Sequence, residues 1–154
     1  MSKLISTVFS DKSRPAFVAY VTAGYPQKSV TVDVLLKLQS GGADIIELGV
    51  PFSDPTADGP VIQESSLVAL ENGIDLHECF RIVTEARSKG LSIPVVMMGY
   101  YNPFLIYGEE KVVQDAVRAG VNGFIIVDLP LDEAHLFRSL CSKEGYFYLL
   151  ILLD

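Results

Sequence analysis

The stretch Glu47 to Gln63, ELGVPFSDPTADGPVIQ, gathers the residue types that move protons. Glu47 follows Ile45-Ile46 inside an apolar, β-rich run, so its carboxyl is expected to be partly buried. Burial disfavours the charged form and raises the pKa, which makes the group a candidate proton donor or acceptor near neutrality. An acid in mid-strand also needs a reason, because an unpartnered buried carboxylate is costly; for Glu47 chemistry is the favoured reading. The loop behind it carries Ser53, Asp54 and Asp58 among Pro51, Pro55 and Pro60, with Gly59 as one permissive joint. Prolines limit backbone freedom, so this loop reads as a shaped element. Its aspartates also read as turn or helix-cap residues, the favoured reading for Asp54 and an even alternative for Asp58.

The other titratable side chains read as structural. His77 and His135 fall early in helical stretches and are expected at the surface. The two cysteines, Cys79 and Cys141, have neither a metal-ligand spacing nor the density of a disulfide framework. They sit on apolar helix faces, where buried free thiols are common. A reduced, cytoplasmic setting and no metal follow as expectations.

These groups must be positioned by the elements around them. Apolar runs at Ala16–Val21, Ala43–Val50, Ile93–Met98, Gly123–Val127 and Tyr146–Leu153 alternate with stretches of helical period. The helical stretches begin near Val30, Val61, Asp75, Glu109 and Asp132. Gly41-Gly42, Asn72-Gly73, Gly90, Gly120 and Gly145 end them. Asp75 with Glu78 three positions on predicts a capping box. Val112, Val113, Ala116 and Val117 form an apolar stripe expected to face the core.

Strand–helix alternation with strands apolar throughout predicts an α/β fold with a parallel sheet covered on both faces. Glu47, Asp54, Asp58, Asn102 and Asp128 all fall at or just after strand ends, where such folds carry their sites. Five strands in 154 residues fit a flavodoxin-like sheet by count. That count fits the flavodoxin-like sheet better than a whole (β/α)₈ barrel, which typically takes about 250 residues, but it also fits the first five units of one. The chain has 12 basic and 19 acidic residues, a net charge of −7, which argues against nucleic acid and anionic membrane as partners. The longest apolar stretch, Leu149–Leu153, is far short of the roughly 20 residues of a membrane helix.

The motif ELGVPFSDPTADGPVIQ, preceded by AFVAYVTAGYP (Ala16–Pro26) and followed by MMGYYNPF (Met97–Phe104) and GFIIVDLPLDE (Gly123–Glu133), closely resembles the α subunit of tryptophan synthase. The resemblance runs from about Ala16 to about Gly145, and the wording around Ala23–Pro26 looks like the form of fungal and many bacterial members. In fungi the α region is fused ahead of a β region. The resemblance implies a (β/α)₈ barrel, with residues 1–154 as its N-terminal portion. It also implies retro-aldol cleavage of indole-3-glycerol phosphate to indole and glyceraldehyde 3-phosphate, in tryptophan biosynthesis, by a carbon–carbon lyase. No cofactor is implied for this region; pyridoxal phosphate belongs to the β subunit or domain that would be its partner. By position, Glu47 matches the family's general acid/base and Asp58 the aspartate that holds the indole N–H. Tyr20, Thr22, Ile62, Tyr100 and Asp128 match pocket-lining positions, Tyr20 standing where phenylalanine is usual. Each has a plainer reading: Tyr20 and Ile62 as core, Tyr100 as a loop tie, Asp128 as a turn cap. Asp54, Pro55 and Asn102 match loop residues that face the β partner and order the Asp58 loop.

Relative to the family, the sequence ends after the fifth strand, before the loops that bind the substrate's phosphate. The final YFYLLILLD departs from the family pattern. That predicts an apolar, aggregation-prone last strand and an impaired α reaction, or alternatively a non-catalytic chain that only docks to a β subunit. A different barrel enzyme, such as the synthase that makes indole-3-glycerol phosphate, would need a lysine at a strand end; Lys89 and Lys111 fall on helices. A flavodoxin-like binder would need a phosphate loop after the first strand, and TAGYP is too poor in glycine.

Overall fold

A computed structural model describes residues 3–10, 14–145 and 147–150. Five parallel strands form one sheet in the order of the sequence: β1 (Val18–Thr22), β2 (Ile45–Gly49), β3 (Val95–Gly99), β4 (Gly123–Ile126) and β5 (Phe147–Leu150). The connections carry the helices α2 (Thr31–Ser40), α3 (Pro60–Glu71), α4 (Leu76–Ser88), α5 (Tyr101–Tyr107), α6 (Glu109–Ala119) and α7 (His135–Lys143); α1 (Lys3–Ser10) precedes the first strand. Neighbouring strands pair in sequence order because each helix returns the chain to the same edge.

Register decides which side chains share a face. Tyr20 pairs with Glu47, Glu47 with Val96, and Val96 with Gly123. Alternation therefore divides each strand. Ile46, Leu48, Val95, Met97, Phe124 and Ile126 pack against the flanking helices. Ile45, Val96 and Ile125 point the other way, and Ile5 of α1 buries against them. Both faces are covered, which is why the strands read as unbroken apolar runs. On the helix side Phe104, Phe124 and Phe137 meet edge to face, with ring centroids 5.3 to 6.3 Å apart.

Several sequence expectations shift. The strands β1 to β3 begin two residues later than the apolar runs, and α7 begins at His135 rather than Asp132. The capping box is half formed: Asp75 accepts from the Glu78 amide at 2.8 Å, while Glu78 pairs with Lys28 and Arg81. Val117 is exposed, unlike the rest of its stripe. Cys79 and Cys141 are buried free thiols. Tyr146 and residues 151–154, part of the expected fifth strand, lie outside the described residues.

Two helices were not legible. In α1, KLISTVFS is short and rich in β-branched residues, and its place comes from burial of Ile5 against the sheet. In α5, Pro103 masks the pattern, but it sits in the first turn, where its missing N–H costs nothing.

At the opposite end of the sheet from Thr22 and Gly49, Arg87 of α4 holds together the segments that lead into β3 and β4. Its guanidinium donates to the carbonyls of Leu91, Ile93 and Gly120 and to the side chain of Asn122, at 2.7 to 3.1 Å. Asn122 in turn accepts from the Val95 amide at 2.9 Å. Truncation of Arg87 to alanine strands these acceptors and is expected to cost about 2–3 kcal/mol in urea unfolding, with lysine recovering only a minor part.

Candidate active site

The site is built at the C-terminal ends of β1, β2 and β3. Tyr20 and Thr22 come from β1, Glu47 and Gly49 from β2, and Asp58 from the loop that leads into α3. Tyr100 follows β3 directly.

Glu47 lies on the face that carries Ile45 and Val96. It opens into a cavity of about 410 Å³ lined otherwise by Ile5, Phe9, Val18, Ile45, Val96 and Ile125. Every one of those neighbours is apolar. Among the described residues none offers Glu47 a cation or a hydrogen bond. The consequence is desolvation without compensation, which lifts the carboxyl pKa above its ordinary value. The sequence anticipates this environment from Ile45-Ile46 alone.

Asp58 lives in a different setting. It is half-buried, and the Tyr100 hydroxyl donates to its Oδ2 at 3.1 Å. The Gln63 side-chain amide donates to its backbone carbonyl at 2.8 Å, and its own amide donates to the Pro55 carbonyl at 3.1 Å. Tyr100 also accepts from the Ala57 amide at 2.8 Å and stacks on Phe52, with centroids 5.2 Å apart. One buried tyrosine thus ties both ends of the acidic loop to β3. Burial, with the neighbouring Asp58 charge, pushes the Tyr100 phenol up to about 12, so it stays a donor throughout the physiological range.

Tyr20 crosses over Gly49. A Cβ at that glycine would lie 2.2 Å from the Tyr20 hydroxyl, so the ring occupies space that any other residue would fill. Burial raises the Tyr20 phenol, and the charges of Asp58 and Glu47 raise it further, which puts all three groups in one electrostatic neighbourhood. Thr22 is buried and shares a hydrogen bond of 2.7 Å with Ser65. Glu47, Asp58, Tyr20, Thr22 and Tyr100 are brought together in this way.

The remaining candidates lie at the margin. Ile62 is half-buried in the first turn of α3. Asp54 is exposed and accepts from the Ser53 hydroxyl at 2.7 Å, while Pro55 is buried. Asn102, expected on a loop, stands exposed in the first turn of α5 and lines an open cleft of about 620 Å³ with Phe52, Ser53 and Lys111. Asp128 is exposed and caps α5, its Oδ1 accepting from the Tyr101 amide at 2.6 Å. His77 and His135 are exposed, and His77 lines the same cleft as Asn102. Sequence reasoning missed Ser65, Phe52 and Gly49. Gly49 ends an apolar strand, which hints at close approach; nothing in the sequence links Ser65 to Thr22.

Residues 7–153 match the family described as the tryptophan synthase alpha chain. The chain belongs to that family. It is 51% identical over 148 residues to the tryptophan synthase of Saccharomyces cerevisiae, covering 94% of this chain and 21% of that protein. It is 47% identical over 132 residues to the tryptophan synthase alpha chain of Roseiflexus sp. (strain RS-1), covering 86% of this chain and 51% of the relative. Among solved structures, the alpha subunit from Legionella pneumophila superposes with a TM-score of 0.91 at 38% identity, over 96% of this chain and 57% of that one. The tryptophan synthase complex from Pyrococcus furiosus gives a TM-score of 0.82 at 44% identity, over 88% and 55%. The chain thus spans about half the length of the bacterial relatives it matches and about a fifth of the yeast protein. The five-stranded sheet is the corresponding part of the α-chain (β/α)₈ barrel.

Because folding raises the Glu47 pKa, the fold favours the neutral carboxyl. Well below the ordinary value of 4.5 the group is neutral folded or unfolded and its burial is tolerated. As pH rises through and above that value, the unfolded chain ionises more readily and stability falls. Glu47→Gln is therefore expected to raise the melting temperature at pH 7, with the gain vanishing near pH 4. Melting curves of both proteins across that range check it.

Proposed function

We propose that the residues assembled here carry the acid–base half of the tryptophan synthase α reaction, the retro-aldol cleavage of indole-3-glycerol phosphate to indole and glyceraldehyde 3-phosphate. The observation that carries this reading is the pairing of two unlike carboxyls: Glu47, desolvated among apolar side chains, and Asp58, held by a hydroxyl donor. Burial holds the proton on the first carboxyl more tightly, while the second is positioned as a hydrogen-bond acceptor.

In this reading the neutral Glu47 carboxyl donates its proton to C3 of the indole ring. The glycerol hydroxyl on the adjoining carbon then gives up its proton, for which the resulting Glu47 carboxylate is the base. Its oxygen forms the aldehyde carbonyl as the C–C bond breaks, and the bonding pair returns to the ring to regenerate indole. Asp58 accepts the indole N–H and stabilises the positive charge that ring protonation creates; Tyr100 keeps Asp58 aimed. Tyr20, Thr22 and Ile62 bound the indole, and Asp128 fixes the α5 turn beside it through the Tyr101 amide. The steps are proton transfers within carboxyl chemistry, so they call on no cofactor.

The partner in this reading is a tryptophan synthase β chain or domain. Asn102 is exposed on the open cleft, Asp54 is exposed on the Asp58 loop, and Pro55 is built into that loop. Docking there would order the loop and, through Tyr100, Asp58. The substrate's phosphate calls for a backbone-amide site of the kind the family places after its later strands. The 154-residue chain assayed alone is accordingly expected to be slow.

The chain contains no tryptophan, so it adds no indole fluorescence of its own to the assay. Indole release is measured with and without a β chain. Glu47→Gln is expected to lower the rate by about 10³-fold, and Asp58→Asn by about 10²-fold. Undiminished release by Glu47→Gln would refute the acid–base assignment.

A further inference from the structure

Three hydroxyls run in series away from the two carboxyls. The Tyr20 hydroxyl lies 3.3 Å from Thr22 Oγ1, Thr22 Oγ1 lies 2.7 Å from Ser65 Oγ, and Ser65 Oγ lies 2.9 Å from the Ile62 carbonyl oxygen. The last link sets the direction of all the others. A carbonyl only accepts, so the Ser65 proton is committed to Ile62. Thr22 must then donate to Ser65, and the Thr22 oxygen is left to accept from Tyr20. Thr22 and Ser65 are both buried, so water does not complete the chain in their place.

We propose that this chain is a polarised positioning device: Ser65, through Thr22, draws the Tyr20 proton away from Glu47 and Asp58, so that the phenol presents its oxygen to the carboxyls and keeps Glu47 in its proton-carrying form. The inference rests on the acid role given to Glu47 above and adds Tyr20 and Ser65 as positioning residues for that acid.

The electrostatics follow from the direction of one O–H dipole. With the proton turned to Thr22, the negative end of the phenol faces Glu47, its neighbour in the strand register, and disfavours its ionisation. With the proton turned the other way, the phenol would stabilise a carboxylate. Among the described residues, Tyr20 of β1 stands beside Glu47 in the strand register, the loop before α3 brings the Asp58 charge to Tyr20, and the cavity before Glu47 presents Ile5, Phe9, Val18, Ile45, Val96 and Ile125. Without a cation nearby to dominate, the orientation of a single neutral dipole matters. Gly49 makes the arrangement possible by leaving room for the phenol.

Removal of the Ser65 hydroxyl reverses the chain. In Ser65→Ala the Thr22 proton has lost its acceptor and turns to the Tyr20 oxygen, which frees the phenol proton for the carboxyls. Glu47 should then ionise more easily. The measurement is a ¹³C NMR titration of protein labelled at the glutamate carboxyl carbon, with the Glu47 signal assigned by its loss in Glu47→Gln. Ser65→Ala is expected to lower the Glu47 midpoint by about half a pH unit, and Ser65→Thr, which keeps a hydroxyl, to restore it. On a Tyr20→Phe background the same serine substitution should leave the midpoint in place, since no phenol proton remains to be released. An unmoved midpoint in Ser65→Ala overturns the proposal, and so does an equal shift on both backgrounds, which would mark a general change of packing. The titration needs no turnover, so its outcome is separable from the indole-release assay: failure of the acid role would appear there and not here.

Discussion

Everything in the site depends on one unfavourable interaction, the desolvation of the Glu47 carboxyl. Ile45 and Val96 beside it, the other apolar residues of the cavity and Ile5 of α1 all withhold the polar company that a carboxylate needs. A protein that sought stability alone would place an apolar residue here, as it does at Ile45, two positions earlier on the same face. Keeping an acid instead trades folding free energy for a proton held more tightly than an exposed glutamate would hold it. The apolar strands therefore serve twice: they build the core, and they set the chemistry of the one acid they enclose.

Asp58 is the counterpart, and the fold handles it by the opposite means. Its loop would be free to move were it anchored only at its ends. Instead Tyr100 reaches from the end of β3 to hold Ala57 and Asp58, Gln63 holds the Asp58 carbonyl from α3, and Pro55 holds its amide. Three separate segments thus converge on two residues. The acid fixed by a rigid strand is left unpartnered, while the acid on a loop is tied down by hydrogen bonds. That division suits a reaction in which one group must exchange a proton and the other must hold charge in place.

The sequence announced these features unevenly, for physical reasons. Glu47 was legible because a charged residue interrupting an apolar strand violates the local pattern. The β-runs and most helices were legible because their periodicity is local. Asp75 as a cap was legible, whereas the other half of its box was not, because Lys28 and Arg81 compete for Glu78 from outside the helix start. The helix α5 was hidden because its first turn is completed by Asp128, which arrives from β4, twenty-six residues after Asn102. Ser65 was hidden for the same kind of reason. A serine at the inner face of a helix carries no signal until the fold brings Thr22 beside it. Residues whose role is defined by a partner distant in sequence are the ones that composition and spacing leave silent.

The tyrosine at position 20 shows how such a silent pair can matter. A bare added hydroxyl would be a buried polar group beside two acids, costly and able to blunt both. Here the hydroxyl has a route out: through Thr22 to Ser65 and on to a carbonyl of α3. The same links fasten the first turn of α3 to the end of β1, next to the loop that carries Asp58. A polar intrusion into the pocket is thereby turned into a tie between the two elements that place the acids. Because the tie ends on a backbone carbonyl rather than on a titratable group, its direction does not change with pH, and the orientation it imposes on Tyr20 is the same whether Glu47 holds its proton or has given it up.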